Sequence, residues 1–183
     1  MTRSHGSQLY SVSLMVSALL IGLLLLTGCE REDVSSLDKK TVKSILPEAA
    51  IDFTLPDLAG KPHQLDEYLE KGPVVLVFFT TWCPYCKKAI PALKQLYRDY
   101  HSQGLQAIAV NAGLADSLEQ ARQYTLEHRL PYVVLYDADG VASGLYGVQL
   151  VPKIFYIRQN GSISRIARQV DRQAAAGIVS KQP

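Results

Sequence analysis

Two cysteines with two residues between them, Cys83 and Cys86, stand in the stretch Thr80-Thr81-Trp82-Cys83-Pro84-Tyr85-Cys86-Lys87-Lys88, directly after an apolar run. Two thiols at that spacing can supply half of a metal site, close a small structural disulfide, or act as a couple that makes and breaks its own bond. A structural zinc site wants four ligands, usually from a second cysteine pair or a histidine pair. Neither is present, because His63, His101 and His128 stand alone. A structural disulfide across so short a loop gains little, since the stabilisation grows with the loop it closes. The redox reading accounts for the placement. At a strand-to-helix junction, unpaired backbone N–H groups and the helix dipole favour an anion at Cys83, and the thiolate is the attacking species in thiol–disulfide exchange. Pro84 suits the first helical turn, where its missing N–H costs nothing. Cys86 lies further in on the helix, placed to attack a mixed disulfide at Cys83 and release the substrate. Lys87 and Lys88 add positive charge nearby on a solvated face.

The elements that must hold this pair can be read from periodicity. Residues 74–79, Val-Val-Leu-Val-Phe-Phe, predict a central strand buried on both faces. Pro84 to about His101 predicts a helix with Cys86, Ala89, Ile90, Leu93, Leu96, Tyr97 and Tyr100 on one side, closed by Gly104. Leu105 to Val110 reads as the next strand, Asp116 to Arg129 as a helix capped by Asp116 or Ser117, and Tyr132 to Tyr136 as another strand. Asp137-Ala138-Asp139-Gly140 reads as a turn rather than a calcium loop, for want of downstream ligands. Ile154 to Arg158 and Ser162 to Arg168, joined by Gln159-Asn160-Gly161, predict a hairpin. Ahead of all this, short strands are expected at Asp52 to Leu55 and His63 to Leu65, followed by a helical turn before Gly72. The alanines at 174–176 suggest a short final helix. Alternating β and α units imply an α/β fold with a parallel sheet covered by helices.

The whole chain of 183 residues fits one domain with a self-sufficient core. Its formal charge of +2, with acids and bases interspersed, gives no electrostatic footprint for nucleic acid. The first residues differ in kind: Arg3 and no acid, then the apolar run Ser11 to Leu26, then Thr27-Gly28-Cys29. That pattern reads as a targeting segment. Leu26-Thr27-Gly28-Cys29 resembles the bacterial lipoprotein signal, which implies removal of residues 1–28 and lipid attachment at Cys29. An uncleaved helical anchor is the alternative, because the run nears the length that spans a bilayer. Either reading places the domain outside the cytoplasm, in the cell envelope, where a thiol pair can be oxidised. Residues 29–46, charged and aperiodic, read as a tether to a domain over 47–183.

The motifs together resemble the thioredoxin superfamily: strand, Thr81-Trp82-Cys83-Pro84-Tyr85-Cys86, then a helix with Pro91 five residues after the second cysteine. The opening Asp-Phe-Thr-Leu-Pro-Asp-Leu-Ala-Gly of residues 52–60 and the late Gly147-Val148-Gln149-Leu150-Val151-Pro152 narrow the resemblance to the exported TlpA, ResA and CcmG group. It covers roughly Pro47 to Arg168. It implies a three-layer thioredoxin-like fold, a central mixed sheet flanked by helices, with an N-terminal β-hairpin extension. It implies catalysis by Cys83 and Cys86, supported by Trp82, Pro84, Tyr85, Val151 and Pro152, and a cis bond between Val151 and Pro152. The backbone of Val151 would pair with an extended substrate segment. No cofactor is implied beyond the Cys83–Cys86 disulfide itself. The implied partners are exported proteins with disulfides, apocytochrome c among them, and a membrane thiol donor of the DsbD or CcdA type.

Two departures from the family pattern stand out. An acid expected in the strand before the motif is replaced by Val77, and an acid expected three residues after the second cysteine is replaced by Ala89. In the family such a carboxylate assists deprotonation of the second cysteine, which leaves Glu67, Glu70 or water as acceptors here. Two rival functions remain. A thiol peroxidase of the same fold would use Thr80 three residues before Cys83, but Leu76 stands where its motif has proline. A Cu(I)-handling lipoprotein would use the two thiolates as soft ligands.

Overall fold

A computed structural model of the chain describes residues 48–113 and 116–180. The signal reading for residues 1–28, lipid attachment at Cys29, and the tether over 29–46 lie outside the described residues. In chain order the elements are β1 (Thr54–Pro56), β2 (Pro62–Gln64), α1 (Leu65–Leu69), β3 (Val74–Phe79), α2 (Pro84–Tyr100), β4 (Gln106–Asn111), α3 (Leu118–His128), β5 (Val133–Tyr136), α4 (Val141–Leu145), β6 (Lys153–Ile157), β7 (Ile163–Ala167) and α5 (Arg172–Val179). A short 3₁₀ turn, His101–Gln103, ends α2 at Gly104, which adopts φ 94°. No described helix is long and apolar enough to cross a membrane.

The apolar run of β3 decides the architecture. All six of its side chains are buried, which only a central strand with both faces covered permits. The sheet order is β5-β4-β3-β6-β7. β3, β4 and β5 run parallel, while β6 and β7 are antiparallel, so the sheet is mixed. Successive β3 side chains point to opposite faces. Val74, Leu76 and Phe78 join Phe155, Tyr146, Leu65 and Leu69 on one side, with α1 and α4. Val75 and Val77 join Leu93, Leu96, Ala175 and Ile178 on the other, with α2 and α5. The three-layer α/β fold with an antiparallel N-terminal hairpin, β1 against β2, is the one expected.

The edges of the elements differ from expectation in ways that have physical causes. Strand β1 starts at Thr54 rather than Asp52, because the Asp52 carboxylate instead accepts from Gln64 Nε2 and the Asp66 N–H at the start of α1. Leu65 leaves the second strand to become the first, fully buried residue of α1. Helix α4 was not foreseen. It is nucleated by the buried Asp137, whose two carboxylate oxygens accept from the N–H groups of Ala142 and Ser143. Tyr146 then fills the core, and its hydroxyl both accepts from Ile51 N–H and donates to Ile51 C=O, pinning the segment that leads to β1.

Of the two cap candidates for α3, Ser117 makes the cap, in a reciprocal capping box with Gln120. This frees Asp116 for another task. Its carboxylate is buried and accepts from Thr81 N–H at 2.7 Å, Thr81 Oγ1 at 2.6 Å and Asn111 Nδ2 at 2.8 Å. Asn111 ends β4 opposite Phe79, the end of β3, so Asp116 ties the loop that precedes the cysteines to the C-terminal edge of the sheet. Asp116→Ala leaves these donors without their acceptor. It is expected to lower unfolding stability by about 2–4 kcal/mol in chemical denaturation, with Asp116→Asn losing less.

Candidate active site

Cys83 follows the end of β3 by four residues and is the N-cap of α2, with extended backbone (φ −75°, ψ 114°) and Pro84 in the first turn. Its N–H donates to the Thr80 carbonyl, and its carbonyl accepts from Lys87 N–H. The sulfur accepts the Cys86 backbone N–H at 3.2 Å. An orphan donor of the helix end is therefore aimed at Cys83 Sγ, the arrangement that suits a negatively charged sulfur. On its other side, Cys83 Sγ–H donates to the Val151 carbonyl at 3.6 Å. The Val151–Pro152 peptide bond is cis. The loop before β6 thus lies against the first cysteine, as the resemblance implied. Around the pair stand the exposed side chains of Trp82, Tyr85 and Leu150. Lys88 Nζ lies 5.9 Å from the centre of the Tyr85 ring.

Both cysteines are thiols in this state, and both are 3% exposed. Cys86 is set in a cluster with Phe79, Ile90, Ala109, Tyr124 and Val134, under the first turn of α2. Burial in this apolar setting, followed by its contact with Cys83, pushes the Cys86 thiol from an ordinary 9.0 up to about 12; the backbone of Thr80 pulls partly the other way. No carboxylate is among the main influences on that thiol. Val77 is buried beside Cys86, and Ala89 packs against the α2–α5 side of the core, so both positions are apolar in space as in sequence. Glu67 and Glu70 are not brought to the pair. Glu67 lies on α1 and Glu70 caps its C-terminal end, both exposed, and the Glu70 carbonyl accepts from Gln159, two residues beyond Ile157, the β6 partner of Val74, at the opposite end of β3 from the cysteines.

The three isolated histidines have ordinary surroundings. His63 bridges Asp57 and the Tyr68 hydroxyl, His101 stacks on Tyr97, and His128 meets the Tyr124 ring edge-on. Among the described residues, no three His, Cys, Asp or Glu side chains are grouped to hold a metal ion. The peroxidase motif residue Thr80 is buried, but its hydroxyl makes no hydrogen bond to Cys83. Sequence reasoning missed Asp116 and Tyr124. Asp116 was visible only as an alternative cap; Tyr124 has an aromatic type that any buried helix face uses, so its nearness to Cys86 carried no signal.

The geometry agrees with comparisons to known proteins. The AhpC/TSA family model matches residues 46–166. The thiol-disulfide oxidoreductase ResA of Bacillus thuringiensis subsp. konkukian is 32% identical over 124 residues, which cover 68% of this chain and 70% of that relative. ResA of Geobacillus thermodenitrificans is 34% identical over 117 residues, 64% of this chain and 66% of its own length, so the match falls just short of two thirds of that relative. A crystal structure from Chlorobium tepidum, assigned as a thiol:disulfide interchange protein DsbE, superposes with a TM-score of 0.66 at 26% identity, covering 73% of this chain and 99% of that one. With the strand–CxxC–helix junction and the cis-proline loop in place, the chain belongs to the AhpC/TSA family and, within it, to the ResA-like thiol-disulfide oxidoreductases.

Proposed function

We propose that this chain reduces disulfides of exported proteins from the outer side of a bacterial membrane, held there by lipid on Cys29. The observation that carries the reading is the position of Cys83 Sγ, between the Cys86 N–H of a helix end and the Val151 carbonyl beside Pro152. A sulfur so held has a donor on the side where charge must be stabilised and an extended segment on the side where a substrate strand can add.

The reaction runs in two exchanges. Cys83, as thiolate, attacks one sulfur of a substrate disulfide; that S–S bond breaks, a mixed disulfide forms, and the other substrate sulfur leaves as a thiolate. Cys86 then loses its proton and attacks Cys83 Sγ. The Cys83–Cys86 bond forms, the mixed disulfide breaks, and the second substrate sulfur departs with the electron pair and takes up a proton. The substrate gains two electrons and two protons, and the protein is left oxidised. Trp82, Tyr85 and Leu150 offer an exposed apolar rim for the polypeptide around the target cysteines, apocytochrome c being one such substrate. A membrane thiol donor of the DsbD or CcdA type returns the pair to the dithiol. The peroxidase alternative gains no support from the unbonded Thr80 hydroxyl.

Cys83→Ser is expected to reduce insulin-type disulfide reduction to the uncatalysed background. Cys86→Ser should still attack and then stall as a covalent mixed disulfide visible by mass spectrometry. Undiminished turnover in Cys83→Ser would move the chemistry elsewhere. A second expectation follows from the raised Cys86 thiol. Since the folded value lies above the unfolded one, its contribution to stability is fully present below about pH 9 and is lost as pH rises towards about 12. Urea unfolding of the reduced chain should therefore show stability falling over that window, and Cys86→Ser should flatten the slope.

A further inference from the structure

The Tyr124 hydroxyl is a polar group in the cysteine cluster that neither the packing of the fold nor the exchange reaction uses. The Tyr124 ring stacks on Phe79 with centroids 5.5 Å apart, and His128 meets it edge-on at 4.3 Å. The side chain is 5% exposed, and its hydroxyl is sealed from solvent with no hydrogen-bond partner. A position that needed only the ring would be served by phenylalanine without the cost of burying an unpaired hydroxyl. The surroundings suggest what the hydroxyl serves. Tyr124 and Cys86, with Val77, Tyr132 and Pro152, line a small pocket of about 20 Å³. That volume admits one water, given polar partners. Thr80 and Ser143 also carry buried unpaired hydroxyls, but neither lines this pocket.

We propose that the Tyr124 hydroxyl, through one water held in this pocket, donates a hydrogen bond to the Cys86 sulfur and stabilises the anion that attacks Cys83. The proposal rests on the reading of Cys83 and Cys86 as an exchange couple. Tyr124 is a positioning residue in this account, because it acts through the water. Other titratable groups face the site, and of these only Tyr132 also lines the pocket. Cys83 is the reaction partner, Asp116 is engaged by Thr81 and Asn111, His128 lies against the ring edge of Tyr124, and Tyr132 packs edge-on against Tyr97. Burial, then the charges of Cys86, Tyr132, Cys83 and Asp116, push the Tyr124 hydroxyl up, so it keeps its proton and remains a donor. The proton that Cys86 gives up ends, in the net reaction, on the departing substrate sulfur; Tyr124 returns to its starting state. This supplies from α3 a stabilisation that the apolar Val77 and Ala89 cannot give.

The test uses the full-length reduced protein and a chromogenic aryl disulfide in stopped flow. Attack by Cys83 releases a first equivalent of aryl thiol, and attack by Cys86 on the mixed disulfide releases a second. Tyr124→Phe is expected to leave the first phase unchanged, slow the second about tenfold at neutral pH, and displace its pH midpoint upward by about one unit. A second phase whose midpoint does not move overturns the proposal. Should Tyr124→Phe fail to fold, site-specific 3-fluorotyrosine at position 124, a stronger donor of nearly the same size, must move the midpoint downward; an unmoved or raised midpoint overturns the proposal equally. Failure of the underlying exchange reading is separately visible, since the wild-type chain would then release a single equivalent, or Cys86→Ser would release two.

Discussion

A buried thiol beneath the first turn of a helix is the constraint on which the site depends. Cys86 must stay inside the apolar cluster of Phe79, Ile90, Ala109, Tyr124 and Val134, yet lie within reach of Cys83 at the helix end. The continuous burial of β3 provides the wall, because a strand covered on both faces brings its last residue, Phe79, to the edge of the sheet already desolvated. Pro84 then lets α2 start without a wasted donor, and the helix carries Cys86 back over the sheet while leaving Cys83 at the cap. The same placement gives the two sulfurs different surroundings. One faces a backbone donor and the Val151 carbonyl; the other is buried in a mostly apolar cluster that also holds Tyr124. Chemical asymmetry between two identical side chains is thus a product of one strand-to-helix junction.

The loops around that junction are fixed by polar groups rather than by more core. Asp116 gathers Thr81 and Asn111, so the approach to Cys83 is tied to the end of β4. Asp137 starts α4, and Tyr146 in the following turn reaches Ile51 across the core. Lys153, at the start of β6, donates to the carbonyls of Tyr146 and Gly147 and so braces the segment that leads to Val151 and Pro152. Each is a buried or half-buried charge or hydroxyl with at least one backbone group among its partners, so the segments are held by polar contacts as well as by packing. The consequence for function is positional. Cys83 meets Val151 because both loops that carry them are anchored independently to the same sheet edge.

Much of this was legible in the residues. The Val74–Phe79 run, the apolar stripe of α2 and the Asn-Gly hairpin signal between β6 and β7 each have one dominant structural solution, and the elements form where periodicity places them. What was not legible shares a single cause. Asp116 and Ser117 are equally good caps by type, and only the tertiary position of Thr81 decides that the aspartate is needed elsewhere. Asp137 reads as a turn former, and that it also nucleates α4 depends on its burial. Tyr124 follows the pattern of any aromatic on a helix face, and its relation to Cys86 exists only once α3 is packed across the sheet. The cis Val151–Pro152 bond was accessible through family resemblance and not through local propensity.

The central claim is the asymmetry of the pair, with Cys86 held protonated by its burial. The measurement that addresses it most directly is a pH titration of the cysteine ¹³Cβ resonances in the reduced full-length chain, with each cysteine assigned by its serine variant. The account predicts that Cys86 titrates far above an ordinary thiol, near 12, and that no titration of Cys86 occurs around neutral pH. A Cys86 midpoint at or below the ordinary value of 9.0 would contradict it, because a buried thiol under an apolar cluster cannot ionise that readily.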